Sequence, residues 1–299
     1  MDELVGRIRI SPEDLNLTHT LTPGQSFRWR KDRHNVWTGV VQGRIIRIWR
    51  EGEDVAFSMY PGVPDEDLIR DYFRLEVDLQ EVYRSFIAAD PRLEPAIERF
   101  RGLRVLRQEP EEALLSYICS TWNSVKKIIR SVEQMSRQYG RFIANVDGHD
   151  YYAFPTARAL TEADILDMAG TCGLGFRCEN LCSVAHQVLE RSIEWLDGLR
   201  LEDYETARAQ LLEVKGVGLK IADCVLLFSL DKDEAFPVDT HVRQMAVKHY
   251  LPEFKQKTMT PAVYNTIVKY FQDKFGPYAG WAQEYLFYDD MLGSFYASN

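Results

Sequence analysis

The sequence predicts an α+β protein in which an N-terminal antiparallel sheet precedes a mainly α-helical segment. Three observations predict it. Segments 36–41, 44–49 and 55–59 read as strands set off by Gln42-Gly43 and Glu51-Gly52, the pattern of a meander. From about Pro110 onward the apolar residues recur almost entirely at helical spacing. Within that part, an apolar stripe of Leu211, Leu212 and Val214 breaks at Gly216-Val217-Gly218, and a second amphipathic helix begins at Leu219. We therefore divide the chain into a sheet domain, 1–105, and a helical domain, 106–299, with a helix-hairpin-helix at about 207–230.

In chain order, Gln42-Gly43 and Glu51-Gly52 separate the three predicted strands, which makes them a meander. Segments 65–73 and 79–89 read as helices. Further on, Thr161-Glu162-Ala163-Asp164 has the look of a helix cap. Thr260-Pro261 places a cap before a proline at the first helical position, and Gly276-Pro277 ends that helix. No solenoid-length repeat or low-complexity tract interrupts the pattern.

The chain has 299 residues, 45% of them hydrophobic and 27% charged, enough to bury one large core or two moderate ones. No stretch approaches the roughly 20 apolar residues of a membrane helix. The beginning, Met1-Asp2-Glu3-Leu4-Val5, is acidic and has no apolar run, so neither a signal peptide nor a membrane partner is expected and the location should be intracellular. Five cysteines, an odd number, fit a reducing compartment better than a disulfide framework. Cys172, Cys178 and Cys182 cluster without the paired spacing of a zinc site, so no metal is expected.

A formal net charge of −9 argues against a polyanionic partner, since proteins that track phosphates usually carry a basic surface. The charge is segregated, however. Arg92, Arg99, Arg101, Arg104 and Arg107 form one basic run and Lys126, Lys127, Arg130 and Arg137 another, while acid gathers at 51–54, 65–67 and 109–112. Each basic run also fits a solvated helix face.

The glycine turn carries the chemistry. Amides at the start of its second helix lack intrahelical acceptors and suit a phosphate oxygen. Both Gly216 and Gly218 are expected to serve positive φ and close approach of a partner. Lys220 lies in the first turn, where the helix dipole disfavours a protonated amine, and a neutral amine is a nucleophile. Asp239 follows in Pro237-Val238-Asp239. Taken alone, these residues also fit an ordinary helix corner, with Lys220 a solvated side chain and Asp239 the cap of a helix from Thr240.

Lys215-Gly216-Val217-Gly218-Leu219-Lys220 together with Pro237-Val238-Asp239 resembles the helix-hairpin-helix-Gly/Pro-Asp superfamily of DNA base-excision glycosylases. Three further segments narrow the resemblance to the 8-oxoguanine DNA glycosylase family. They are Pro23-Gly24-Gln25-Ser26-Phe27-Arg28-Trp29, the segment from Arg104 to Cys119, and Gly280-Trp281-Ala282-Gln283-Glu284-Tyr285-Leu286-Phe287. These lie near the start, middle and end, so the resemblance covers almost the whole chain.

The resemblance implies a monomeric base-excision repair enzyme. It would flip and excise 8-oxoguanine from duplex DNA, then cleave the abasic site by β-elimination through a lysine Schiff base. Double-stranded DNA containing oxidised guanine is the implied partner and no cofactor is required. Family hairpins can hold a structural cation on backbone carbonyls, and no four-cysteine loop follows this hairpin to hold an iron–sulfur cluster. Lys220 is the implied nucleophile, and Asp239 stabilises the cationic sugar. The Gly24 carbonyl accepts the N7–H that distinguishes the lesion from guanine, a contact that contributes about 1–3 kcal/mol of discrimination.

Gln283 would bond the Watson–Crick edge of the everted base, sandwiched between Phe287 and Cys224, while Gly216, Gly218 and His241 meet the DNA backbone. Phe176 and Arg177 match an aromatic wedge, tyrosine in most of the family, and an arginine to the opposite cytosine. At Ser120-Thr121-Trp122-Asn123-Ser124 the family commonly has an asparagine run. Trp122 stands where an asparagine enters the helix gap and Lys127 where an arginine reads the opposite base, so cytosine preference is expected to weaken. The alternatives are a glycosylase for another damaged purine and a catalytically silent helix-hairpin-helix DNA-binding protein.

Overall fold

Strands β1 (Gly6–Arg9), β2 (Arg30–Lys31), β3 (Trp37–Val41), β4 (Arg44–Glu51) and β5 (Asp54–Tyr60) form one antiparallel sheet in the order β1-β5-β4-β3-β2. The computed structural model describes residues 4–291, and the outer ends of the two predicted domains, 1–3 and 292–299, lie outside the described residues. Val41 faces Arg44, which leaves Gln42 and Gly43 as a two-residue turn, both at positive φ. That turn matches the twist of the strands it joins. Glu51 faces Asp54 around Gly52, also at positive φ. The expected meander is thus the centre of the sheet, and β1 and β2 are edges too short to show alternation in sequence.

The helices expected at 65–73 and 79–89 are Glu66–Tyr72, capped by Asp65, and Leu79–Ala89, capped by Asp78. Thr260 caps Pro261–Phe275 through its hydroxyl, and Gly276 closes that helix at φ +60°. The cap expected at Thr161 is corrected. Thr161 ends the short helix Ala157–Thr161, and Asp164 caps the next, Ile165–Thr171, by accepting the Asp167 amide. The helical part also contains a hairpin absent from the sequence reading, β6 (Phe142–Val146) and β7 (His149–Tyr152). Its turn is Asp147-Gly148, both at positive φ, a strong hairpin signal that the helical period around it masked.

Two apolar cores form. The smaller packs Ile46, Ile48, Val55 and Phe57 of the sheet against Trp29, Ile69 and Phe73. The larger gathers the helices, and it takes in Leu79–Ala89 and Glu94–Arg99 as well. Leu75 packs on the first core and Val77 on the second, while Leu106 returns to the first, so the segment between them runs along the seam of the two cores.

One buried carboxylate ties the helical part together. Asp223, fully buried in the otherwise apolar helix Leu219–Ser229, accepts two hydrogen bonds from Arg208 at 2.7 and 3.1 Å. It also accepts the Tyr204 and Tyr264 hydroxyls at 3.1 and 2.7 Å. The Tyr264 oxygen in turn accepts the Val238 amide at 3.2 Å. Helices Tyr204–Leu212, Leu219–Ser229 and Pro261–Phe275 and the strand-like approach to Asp239 therefore meet at one side chain. Removing a buried carboxylate from its arginine typically costs about 3–5 kcal/mol. Asp223→Ala is expected to lose that much in urea unfolding and Asp223→Asn less; a loss below about 1 kcal/mol for the alanine variant would show the network to be dispensable.

Candidate active site and nucleic-acid interface

The hairpin helices Tyr204–Leu212 and Leu219–Ser229 flank a loop that is fastened from outside. Gly216 has φ +107°, and a Cβ there would lie 1.9 Å from the Asn180 side-chain oxygen. Asn180 Nδ2 donates to the Gly216 carbonyl at 3.1 Å. Gln187 both accepts from the Lys215 amide at 2.8 Å and donates to its carbonyl at 2.9 Å. Gly218 departs from expectation, because its φ is −94° and nothing lies within 4 Å of a Cβ built on it. Only Gly216 needs the left-handed region; Gly218 leaves open space over the uncapped amides of the helix that starts at Leu219.

Lys220 projects from the first turn of that helix. Its Nζ donates to Ser120 Oγ at 2.9 Å and stands 5.0 Å from the Tyr117 ring centre. One turn on, the buried Cys224 thiol is pushed up to about 12, by burial first, and it feels the charges of both Lys220 and Asp239. Asp239 caps Thr240–His249 through Oδ1, which accepts the Val242 amide at 2.8 Å. Lys220 and Asp239 therefore each start a helix, Lys220 from its first turn and Asp239 as its cap.

Tyr117 joins this group to Gly24. Its hydroxyl donates to the Gln25 carbonyl at 2.9 Å. The Gln25 side chain is itself held by the Thr20 and Arg104 carbonyls and the Leu106 amide, each at 2.8 Å. Gly24, at φ +93°, lies against Val125 at the start of helix Val125–Tyr139.

On the last helix, Ala279–Met291, Gln283 is 4% exposed, and its Oε1 has no hydrogen-bond partner among the described residues. A buried acceptor left unpaired costs free energy, so such an atom marks a place for a ligand donor. Phe287, one turn further, is half-buried and its ring lies 6.2 Å from that of the exposed His241, edge to face. Burial and then Asp239 raise the Glu284 carboxyl to about 8.

A separate rim surrounds Trp122 and Phe176, which are 91% and 68% exposed. Arg177 does not face outward there. Its guanidinium donates to the Thr121 and Trp122 carbonyls at 2.6 and 2.8 Å and stacks on Phe176 at 4.5 Å. Asn123 closes the turn by donating to the Cys119 carbonyl. Lys127 is exposed beside Lys126, Arg130 and Arg137, and none of the four makes an ion pair among the described residues.

The other basic run differs from its appearance in sequence, because the fold neutralises it. Arg92 pairs with Asp90, Arg99 with Asp289, Arg101 with Glu98, and Arg107 with Asp71, Glu76 and Asp231, while Arg104 is buried on the carbonyls of Asp14, Arg74 and Val77. A cleft of about 210 Å³ lies apart from Lys220, lined by Arg28, Arg30, Glu133, Arg137, His149 and Tyr151 among others, and contains none of the expected site residues. Among the described residues no cluster of three His, Cys, Asp or Glu could hold a metal, and no helix is long and apolar enough to cross a membrane.

Sequence reasoning missed Tyr117, Ser120, Asp223, Tyr264 and Glu284. Asp223 and Glu284 had a signal, a lone acid inside an apolar helix, which is rarely tolerated without a task. Glu284 holds its proton to about pH 8 in the fold against 4.5 as a free side chain. The folded chain therefore binds more protons than the unfolded one in that window, and stability falls as pH rises through it. Glu284→Gln is expected to lose less stability than the native chain between those pH values in urea melts; equal pH slopes would mean that the carboxyl is already ionised.

Residues 7–114 match the model of the 8-oxoguanine DNA glycosylase N-terminal domain. N-glycosylase/DNA lyase OGG1 of Arabidopsis thaliana is 31% identical, covering 94% of this chain and 78% of its own. A probable N-glycosylase/DNA lyase of Methanothermobacter thermautotrophicus is 32% identical, covering 94% and 95%. Among solved structures, Clostridium acetobutylicum 8-oxoguanine glycosylase/lyase, in complex with double-stranded DNA containing cytosine opposite 8-oxoguanine, superposes with a TM-score of 0.83 at 28% identity, covering 98% of this chain and all of that one. By sequence over nearly its whole length and by fold, the chain belongs to the 8-oxoguanine DNA glycosylase family.

Proposed function

We propose that this protein excises 8-oxoguanine from duplex DNA and cleaves the resulting abasic site. The observation that carries the reading is the Lys220 amine held by Ser120 Oγ and beside the Tyr117 ring in the first turn of an uncapped helix, in a chain whose relatives are N-glycosylase/DNA lyases. Loss of the base builds positive charge on the sugar. Asp239 faces that charge, and the Lys220 amine, once it has given up its proton, forms a bond to C1′ as the bond to the base breaks. Ring opening gives the Schiff base, and loss of a C2′ proton then breaks the C3′–O bond, which nicks the strand.

The uncapped amides behind Gly218 take a phosphate of the lesion strand, and the exposed His241, next to Phe287, meets the DNA backbone as well. The unpartnered Gln283 oxygen favours a role in bonding the donors on the edge of the everted purine. Phe287 and Cys224 enclose its faces, and Gly24, anchored through Gln25 and Tyr117, offers the carbonyl that accepts N7–H. Tyr117 and Ser120 orient the amine.

Two measurements test these roles. Lys220→Gln is expected to abolish both borohydride trapping on 8-oxoguanine duplex and strand nicking, and retained trapping would remove Lys220 from its role. Phe287→Ala is expected to weaken binding of lesion duplex by about tenfold while leaving undamaged duplex nearly unchanged; equal losses would count against a place in the base pocket.

A further inference from the structure

Gln283 and Glu284 each carry a buried side-chain oxygen, Oε1 and Oε2, without a hydrogen-bond partner among the described residues. For Gln283 the edge of an everted purine supplies the missing partner, as read above. Glu284 has no such account. At 3.6 residues per turn, Gln283 and Glu284 fall within an arc of about 100° of their helix with Phe287 between them. Tyr285 turns the other way, into the core, where its hydroxyl donates to the Leu103 carbonyl at 2.8 Å. Glu284 therefore shares the side of the helix that is read as meeting the base. A carboxyl buried without an ion pair or a bonded oxygen is costly, and an apolar side chain there would be more stable. Its presence calls for a task.

The groups that act on this carboxyl belong to the sugar side of the site. The Asp239 charge, at the cap of Thr240–His249, acts on Glu284. Glu284 acts in turn on the Tyr117 hydroxyl and on the Cys224 thiol, which also feels Lys220. Burial first and Asp239 second keep the proton on Glu284 to about pH 8, and the phosphates of a bound duplex push in the same direction. An acid that still holds its proton near the working pH is suited to give it away in a transition state. Between Asp239 on the sugar and Gln283 on the Watson–Crick edge lies the sugar edge of a purine, which presents the acceptor N3.

We propose that Glu284 is a catalytic general acid that protonates N3 of the everted base as it leaves. The C1′–N9 bond breaks with its electron pair going to the base, the carboxyl proton passes to N3, and 8-oxoguanine departs neutral instead of as an anion. Lys220 takes C1′, so positive charge ends on its nitrogen and negative charge on Glu284, which regains a proton from water after release. This role rests on the glycosylase reading above and adds a proton donor to it. An abasic site has no base to expel, so its cleavage does not pass through this step.

Single-turnover excision of 8-oxoguanine from duplex and nicking of a preformed abasic duplex, each followed from about pH 6 to about pH 10, separate the two steps. Glu284→Gln keeps the size of the side chain and has no acidic proton, so it should slow excision about a hundredfold while nicking stays within about threefold of native. In the native chain the ratio of excision to nicking should fall about tenfold per pH unit above about pH 8, as the acid ionises. Deprotonation of Lys220 favours both rates, so the ratio isolates Glu284, and in the variant it should be flat.

Excision by Glu284→Gln within about threefold of native would overturn the proposal. So would a native ratio that does not change with pH, a result that needs no variant to fold. Equal losses of excision and nicking in Glu284→Gln would overturn it as well, by assigning Glu284 to the holding of Lys220. Absence of both activities in the native chain would remove the glycosylase reading itself, and the acid with it.

Discussion

The Asp223 carboxylate is the constraint on which the site depends. Its position in the middle of an apolar helix would be ruinous without partners, and it has four hydrogen bonds from three side chains. Through Tyr264 it also reaches the amide of Val238, the residue before Asp239. Lys220 sits one turn before Asp223 on the same helix. The proposed nucleophile and the carboxylate proposed to act with it are therefore held to a common anchor, although 19 positions separate them in sequence. Burial makes this anchor stiff, because a group excluded from water cannot trade one partner for another at low cost.

Charge follows a related logic. A chain of net charge −9 meets a polyanion by spending its cations unevenly. The arginines from Arg92 to Arg107 are absorbed by acids and carbonyls of the fold, where they join the sheet to the helical part. The cations at 126, 127, 130 and 137 are left on an open face. Local potential, which decides where a phosphate backbone settles, is thereby separated from the overall charge, which governs solubility and long-range repulsion.

Local features were legible in the sequence. The 36–59 meander followed from apolar runs separated by glycine turns, and the hairpin followed from the break at Gly216. The Asp239 cap followed from a carboxylate ahead of a helix. The motif singled out Lys220 and the resemblance added Gln283 and Phe287, of which Gln283 has a buried oxygen without a partner among the described residues. What stayed hidden depends on contacts between distant segments. Whether Arg107 is a surface cation or part of a buried network is decided by Asp231, 124 residues away. The direction of Arg177 is decided by carbonyls of a turn 55 residues earlier. The β6–β7 hairpin was a different kind of miss, since Asp147-Gly148 was visible but surrounded by helical spacing.

The helix Arg177–Arg191 carries Arg177 at its first position and Asn180 and Gln187 further along. The first of these fastens the Trp122 turn and the other two fasten the hairpin loop. From Arg177 to Gln187 the helix rises about 15 Å, and this length cannot stretch. The helix is thus a rigid tie between two loops that are far apart in sequence, so a displacement of either loop is carried to the other.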